Sequence, residues 1–315
     1  MKVLYQNNRN GRIHDVTSLV SSPKWKTVRR GSPASFTFSA LPSEEIQWSH
    51  GGIIRATEGS DGIFYGYVFK LKQNADGIVD VTAYDQTRYL KNKNTYVFTN
   101  VTASRVVKEI CEDFGLKTGE IEDTKYVIPS MVEDGQSLFD IMLKALDLTL
   151  VNSNRMFYLW DDFGKIRVSE VSGGKLPILL GDESLATDYD YEESIDGDTY
   201  NQIKLLRDNK DSGKRDLYLF KDSGHIKQWG LLQYHEKVNE NMNSAQIEQH
   251  GNQLLELYNR TEKTFSVNGI SDLRVRAGKM IFVRIKDLKI NSYYLIEEAE
   301  HDLIGGTMKV KLKAV

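Results

Sequence analysis

Ile63-Phe64-Tyr65-Gly66-Tyr67-Val68-Phe69-Lys70-Leu71-Lys72 is aromatic or β-branched along most of its length and gains a polar face at its end. Such residues suit a pleated, half-buried surface. Asn74-Ala75-Asp76-Gly77 follows, and an Asp-Gly pair tolerates the positive φ angles of a tight hairpin. Val79, Val81 and Ala83 then alternate as the return strand. Upstream, Phe36 and Phe38 alternate with Ser35, Thr37 and Ser39, the period of two of a strand with one buried face. Residues 1–99 therefore read as an antiparallel β domain.

The pattern changes in the middle. From Thr102, a suitable N-cap, Val106, Val107, Ile110, Cys111 and Phe114 recur at helical spacing, and Gly115 falls where a left-handed C-cap belongs. A second helix is expected from about Ser137 to Asp147, with Leu138, Ile141, Met142, Ala145 and Leu146 on one stripe. Short strands are expected at Tyr126 to Ile128, Met156 to Trp160 and Lys165 to Val171, the last two joined by Asp161-Asp162-Phe163-Gly164. Residues 100–175 thus form a small α+β insert.

Residues 182–198 hold Asp182, Glu183, Asp188, Asp190, Glu192, Glu193, Asp196 and Asp198 without a Lys or Arg, and read as a solvated connector. Strands are expected to return at Asn201 to Leu206, Leu217 to Lys221 and His225 to Leu232, with Asp222-Ser223-Gly224 turning between the latter two. A helix follows from Asn243 or Ser244 to about Arg260, then strands at Met280 to Ile285, Tyr293 to Ala299 and Met308 to Leu312. The expected fold is mainly β: a first β domain over 1–99, the α+β insert, and a second β domain with one helix over 176–315. No fixed-period repeat links the two β regions.

Composition bounds the function. Lys and Arg number 41 against 44 Asp and Glu, too even a balance for a dedicated nucleic-acid binder. Cys111 is the single cysteine, which excludes an internal disulfide and fits a reducing compartment. The N-terminal Met1-Lys2-Val3-Leu4-Tyr5-Gln6 lacks a signal-peptide core, and nowhere do 18 apolar residues run together, so no membrane insertion is expected.

Catalytic patterns are missing. The six histidines form no HExxH and no zinc-ligand spacing; His301 after Glu300 reads as a turn anchor. No GxSxG occurs, and Cys111 sits on an apolar stripe where a thiol is inert. Asp188-Tyr189-Asp190-Tyr191-Glu192-Glu193 starts with calcium-loop spacing, but Glu193 takes the glycine position and Thr199 the last. Gly51-Gly52, Gly173-Gly174 and Gly305-Gly306 lack the helix and Lys of a phosphate loop. No catalytic residue, cofactor or metal is expected.

The order of elements resembles the baseplate hub family of contractile-tail phages and defective-prophage tailocins, the late control protein D-like group. The carriers are Val79 to Leu90, which ends in Asp85-Gln86-Thr87-Arg88-Tyr89-Leu90 like the family's DxxRYL turn; Thr99 to Ile110 with Phe114-Gly115-Leu116; Ser137 to Met142; and Leu273 to Ile281 continuing to Tyr293 to His301. The resemblance spans nearly the whole chain and rests on the order and spacing of these motifs. It implies two antiparallel β-barrel-like tube domains flanking the insert, and three subunits forming a pseudo-six-fold ring that joins a six-fold tail tube to a three-fold central spike. Its implied partners are a homotrimer, the tail tube protein, the central spike protein and baseplate wedge proteins. Its implied setting is a contractile phage or tailocin particle assembled in the bacterial cytoplasm and released by lysis. The chain is shorter than the larger hubs, so any lysozyme-like hydrolase and the central spike are expected on other chains.

Lys309, Lys311 and Lys313 alternate with Met308, Val310 and Leu312, so one face of that strand is basic and, in such a ring, a candidate channel lining. The alternative is a receptor- or glycan-binding tail module without catalysis, which needs an exposed aromatic platform; the aromatics here fall mainly on expected strand cores.

Overall fold

The computed structural model describes residues 1–182, 184–209 and 213–314, so Glu183 of the acidic stretch lies outside them. In chain order the first region holds β1 (Lys2–Gln6), β2 (Ile13–Asp15), β3 (Val20–Val28), β4 (Ser35–Ala40), β5 (Ile53–Glu58), β6 (Asp61–Gln73) and β7 (Val79–Tyr84). The insert holds β8 (Lys93–Thr102), α1 (Ala103–Asp113), β9 (Thr118–Ile121), β10 (Val127–Ser137), α2 (Leu138–Ser153), β11 (Phe157–Asp161) and β12 (Ile166–Glu170). After it come β13 (Lys175–Gly181), β14 (Ala186–Ser194), β15 (Gln202–Asn209), β16 (Lys214–Lys221), α3 (Ser223–Trp229), β17 (Gln233–Lys237), α4 (Ser244–Tyr258), β18 (Glu262–Ile270), β19 (Met280–Ile285), β20 (Ile290–Asp302) and β21 (Thr307–Ala314).

The expected local signals act as their chemistry requires. Thr102 caps α1 by accepting from the Arg105 N–H, and Gly115 takes φ +61° just past its end. Ser137 caps α2, which runs to Ser153 and stops at Asn154 in the left-handed region. Asn243 and Gln246 form a reciprocal capping box at the start of α4. Asn74 Oδ1 accepts from the Asp76 and Ile78 N–H groups to close the β6–β7 hairpin, with Gly77 at φ +79°.

Three expectations are corrected. The acidic stretch is not a connector through solvent: most of it is β14, whose Tyr189 and Tyr191 pack against the core while Asp188, Asp190 and Glu192 face out. The segment expected as a strand over His225 to Leu232 is mostly α3. Asp222 Oδ1 accepts from the Gly224 and His225 N–H groups, which starts a helix rather than a hairpin, and Gly230 at φ +82° ends it. The two β regions are not separate closed barrels. They share one 13-stranded sheet in the order β14-β18-β21-β20-β3-β4-β7-β6-β5-β1-β2, with β19 and β13 branching from β20, and no pairing among the described residues closes it.

Within that sheet the same five-strand unit occurs twice. In the first, β3, β4, β5, β6 and β7 lie in the order β3-β4-β7-β6-β5; in the second, β14, β18, β19, β20 and β21 lie in the order β14-β18-β21-β20-β19. The long fourth strand is bulged at matching places, between Val68 and Lys70 in β6 and between Ile296 and Glu298 in β20. The turn before the third strand is held alike: Gly51 N–H donates to Val68 O and Gly52 O accepts from Val68 N–H, as Gly278 N–H donates to Ile296 O and Lys279 O accepts from Ile296 N–H. The units differ in what joins their first two strands, a short turn in one and the β15-to-α4 lobe in the other. Each buries its own cluster, Phe36, Phe38, Ile54 and Val68 in the first and Phe265, Val267, Ile281 and Ile296 in the second. The insert packs α1 and α2 into a third cluster, and the lobe packs α4 onto β15 and β16 in a fourth.

The two turn glycines differ in surroundings. A Cβ at Gly51 meets nothing within 4 Å, whereas at Gly278 it lies 2.0 Å from the Tyr158 ring. Both carry positive φ, +75° and +90°. Gly51→Ala is expected to destabilise by about 1 kcal/mol of backbone strain, and Gly278→Ala by about 2–3 kcal/mol because the ring must also move. Urea midpoints check this; equal losses would mean that Tyr158 yields freely.

Candidate assembly surface

The period of two along each strand sorts polar side chains onto one face of the sheet. On β21, Lys309 and Lys311 are exposed and Lys313 half-buried, while Met308, Val310 and Leu312 are buried. The sequence thus places the three lysines correctly on one face of their strand. The sheet face around them is not basic, because Glu298 lies opposite Lys311 and Glu300 opposite Lys309 on β20. On the far side of β20, Lys26 lies opposite Glu300 and Lys24 opposite Asp302. Lys26 Nζ is 2.8 Å from Glu298, Lys311 Nζ 3.6 Å from the same carboxylate, and Lys24 Nζ 3.8 Å from Glu300. Lys313 pairs with Glu262.

Continuing outward, Thr264, Ser266 and Asn268 of β18 separate the lysines from Glu192, Asp190 and Asp188 of β14. In the other direction Ser35 and Thr37, then Thr82 and Asp80, lead to Lys70 and Lys72 of β6. One polar face therefore crosses both units in columns of alternating charge. Exposed pairs of this kind contribute little stability; what they fix is which strand sits beside which. The columns on β3 and β20 were not singled out from sequence, although Lys24-Trp25-Lys26 carries the same period-two signal as the C-terminal lysines.

Behind this face, the two units and the insert meet at a polar joint built on the Asp85-to-Leu90 turn. Asp85 is 3% exposed, and its Oδ1 accepts from Thr87 N (3.0 Å) and Thr87 Oγ1 (2.5 Å), capping a 3-10 turn. Gln86 reaches into the insert: Nε2 donates to Lys117 O at 3.0 Å and to Asp161 Oδ2 at 2.9 Å, while Oε1 accepts from Lys117 N. From the second unit, Arg276 Nη2 donates to Asp161 O at 2.9 Å, and its guanidinium lies 4.2 Å from the Trp160 ring and 5.7 Å from that of Trp25. Burial and the neighbouring Asp161 carboxylate push Asp85 above the usual carboxylate range, and burial pushes Asp161 the same way.

The remaining candidates resolve on geometry. His301 is fully buried, stacks on Trp25, donates from Nε2 to Val275 O at 2.8 Å, and accepts at Nδ1 from Ser271 Oγ at 2.8 Å. Burial holds it below the usual imidazole range, so it is a neutral turn anchor. Glu300 points to the opposite face of β20, so the two do not act as a pair. The Cys111 thiol is buried and pushed up to about 12 by burial. Asp188, Asp190 and Glu192 are extended along a strand, not wrapped as a calcium loop is, and among the described residues no three His, Cys, Asp or Glu side chains stand together as metal ligands.

Comparison with known proteins places this architecture. The model of the YQBQ-like family matches residues 23–314. The chain is 33% identical over 258 residues to the protein YqbQ of Bacillus subtilis strain 168, covering 80% of this chain and 77% of that protein. It is 29% identical over 246 residues to the phage-like element PBSX protein XkdQ of the same organism, covering 77% and 74%. In fold it is similar to the 43 kDa tail protein of prophage MuSo2 from Shewanella oneidensis, with a TM-score of 0.70 at 14% identity over 100% of this chain and 98% of that one.

Proposed function

The chain belongs to the YQBQ-like family, and from that membership we propose that it is a structural subunit of a phage-type tail, the baseplate hub that joins the tail tube to the central spike. The observation that carries this is the doubled five-strand unit with one polar face running across both copies. A tube wall of six similar units is built by three chains of this kind, each presenting two units. Such a ring has pseudo-six-fold symmetry towards a six-fold tube and true three-fold symmetry towards a spike. The relative XkdQ comes from a phage-like element and the fold relative is a tail protein, which supports a place in a tail.

In this reading the polar face lines the channel, with Lys309, Lys311 and Lys313 among its side chains and the acidic columns beside them. The face is mixed in sign, which suits passage of solvated material without adhesion. Each unit buries its inner face in its own cluster, and the second unit also meets the insert where Leu295 packs with Tyr158 and Val171. Partners are then further copies of the chain, the tube protein, the spike protein and wedge proteins.

Light scattering of the purified chain across a concentration range tests the proposal. The expected result is a trimer, or a monomer that moves towards trimer as concentration rises. A stable dimer or tetramer is incompatible with three-fold adaptation and would return the reading to a binding module.

A further inference from the structure

The internal duplication can be compared edge by edge. In the second unit one side of β20 is occupied twice: by β19 up to Leu295, and by β3 from Glu298 to Asp302. In the first unit the matching side of β6 is occupied by β5 up to Tyr67, and residues 69–73 have no strand partner there among the described residues. The counterpart of β3 in the second unit is β14, which among the described residues pairs with β18 alone. The molecule thus makes one complete joint, β20 to β3, and displays the two halves of another.

We infer that β14 of one copy of this chain pairs antiparallel with residues 69–73 of β6 in the next copy, so that the sheet continues from chain to chain. This rests on the hub reading for its ring, and adds which strands meet and in what register. The internal joint supplies the register. Matching bulges align Lys70 with Glu298 and Lys72 with Glu300. Matching pairings to the second strand, Lys26 to Ser35 and Glu192 to Thr264, align Glu192 with Lys26. Glu300 opposite Lys26 within the chain therefore becomes Lys72 opposite Glu192 between chains, and His301 opposite Trp25 becomes Gln73 opposite Tyr191.

Charge supports the match. Lys70, Lys72, Asp188, Asp190 and Glu192 are exposed and make no ion pair among the described residues. Their signs are complementary, as in the internal joint, but reversed: there β20 supplies acid and β3 supplies Lys, whereas here β6 supplies Lys and β14 supplies acid. The reversal forbids the wrong neighbours. Swapping β14 for β3 against β20 sets acid on acid, and β3 against β6 sets Lys on Lys, so only one order of units is tolerated. An open edge of this kind pairs indiscriminately unless something restricts it, and the charge columns are that restriction.

The test uses the full chain. Lys72→Cys and Glu192→Cys chains, mixed and oxidised, are expected to form an interchain disulfide that neither forms alone, since directly opposed strand positions lie within disulfide reach. Lys70→Glu with Lys72→Glu, or Asp190→Lys with Glu192→Lys, is expected to weaken self-association by on the order of tenfold or more. All four changes in one chain are expected to restore it. The positions are exposed, so circular dichroism should report an unchanged fold. A wild-type trimer that ignores both reversals and gives no disulfide overturns this joint while leaving the hub reading standing. The disulfide and the charge rescue in an assembly that is not a trimer would keep the joint and overturn the hub. A chain that stays monomeric and uncross-linked at its highest soluble concentration overturns the joint as well.

Discussion

Arg276→Ala is expected to lower the stability of the folded chain by about 3–5 kcal/mol, the usual loss when a large, fully packed side chain is truncated and leaves a cavity. Arg276 enters the joint from the second unit, donates to Asp161 O in the insert, and is sandwiched against Trp160 with Trp25 of the first unit beyond. Its Nε is shut off from solvent without a hydrogen-bond partner, so the cation is held there by the ring faces and by the bond to Asp161 O. Truncation removes a planar cation that reaches both the insert and the first unit, and leaves a hole beside the Trp160 indole. Arg276→Lys should recover only part of the loss, because an ammonium neither stacks flat on Trp160 nor keeps the fork geometry. The control is Arg30→Ala. Arg30 donates to both Asp147 oxygens at 2.7 and 2.6 Å, closer than any contact of Arg276, yet both partners are more than a third exposed, and the expected loss is about 1 kcal/mol. Urea unfolding of the three variants gives the comparison. Equal losses for Arg276→Ala and Arg30→Ala would show that the joint does not depend on Arg276.

The second large effect is on pH dependence. Asp85 is lifted above its ordinary value of 3.8, chiefly by burial and then by Asp161, against the opposing hydrogen bonds from Thr87. A carboxyl raised in the folded state binds a proton more tightly there than in the unfolded chain. Its stabilising contribution is therefore complete below the unfolded value and is lost as pH rises towards the folded one. The slope is at most about 1.4 kcal/mol per pH unit for one proton. The wild-type chain should lose stability steadily from about pH 5 through neutrality. Asp85→Asn keeps an oxygen for the Thr87 donors and has no proton to lose, so it should flatten that slope and exceed wild type above neutrality. Asp161 is shifted in the same direction and leaves a residual slope in the variant. His301, held below its usual range, works in the opposite sense and weakens the fold only as pH falls. Comparing Asp85→Asn with wild type cancels it. Parallel pH profiles for the two proteins would mean that Asp85 is ionised in the folded state.

Much of the fold is legible from local chemistry. Phe36 and Phe38 sit inward on β4, Asn74 to Gly77 turns the hairpin, and Thr102, Ser137 and Asn243 begin their helices. Each signal is contained within a few residues. The errors arise where two local signals compete. Asp188-Tyr189-Asp190-Tyr191-Glu192 carries strand periodicity, but the density of acid reads as solvated chain until Phe265 and Val267 of β18 are known to lie beside the tyrosines. Asp222-Ser223-Gly224 serves a turn or a helix start equally well, and α3 is only seven residues long. The duplication is hard to read in sequence because most equivalent places hold different residues, Lys72 and Glu300, Trp25 and Tyr191, Gly52 and Lys279, and matches such as Gly51 with Gly278 and Phe36 with Phe265 are scattered. What the units share is pairing, a bulge and two backbone hydrogen bonds, none of which depends on side-chain identity. The lysine face was legible for the same reason as β4, whereas its acidic and basic neighbours come from strands about 270 residues apart in sequence, as Lys26 and Glu298 do.

The joint between β20 and β3 is made within one chain. It forms as the chain folds, at an effective concentration set by the tether rather than by the amount of protein present. Any joint between chains obeys mass action instead. Dilution therefore acts on the second kind alone: it returns an assembly to single chains in which the first kind is still closed. In the proposed ring each chain would arrive at every encounter as a preformed double segment, so that closing a cycle of six units would require three docking events rather than six.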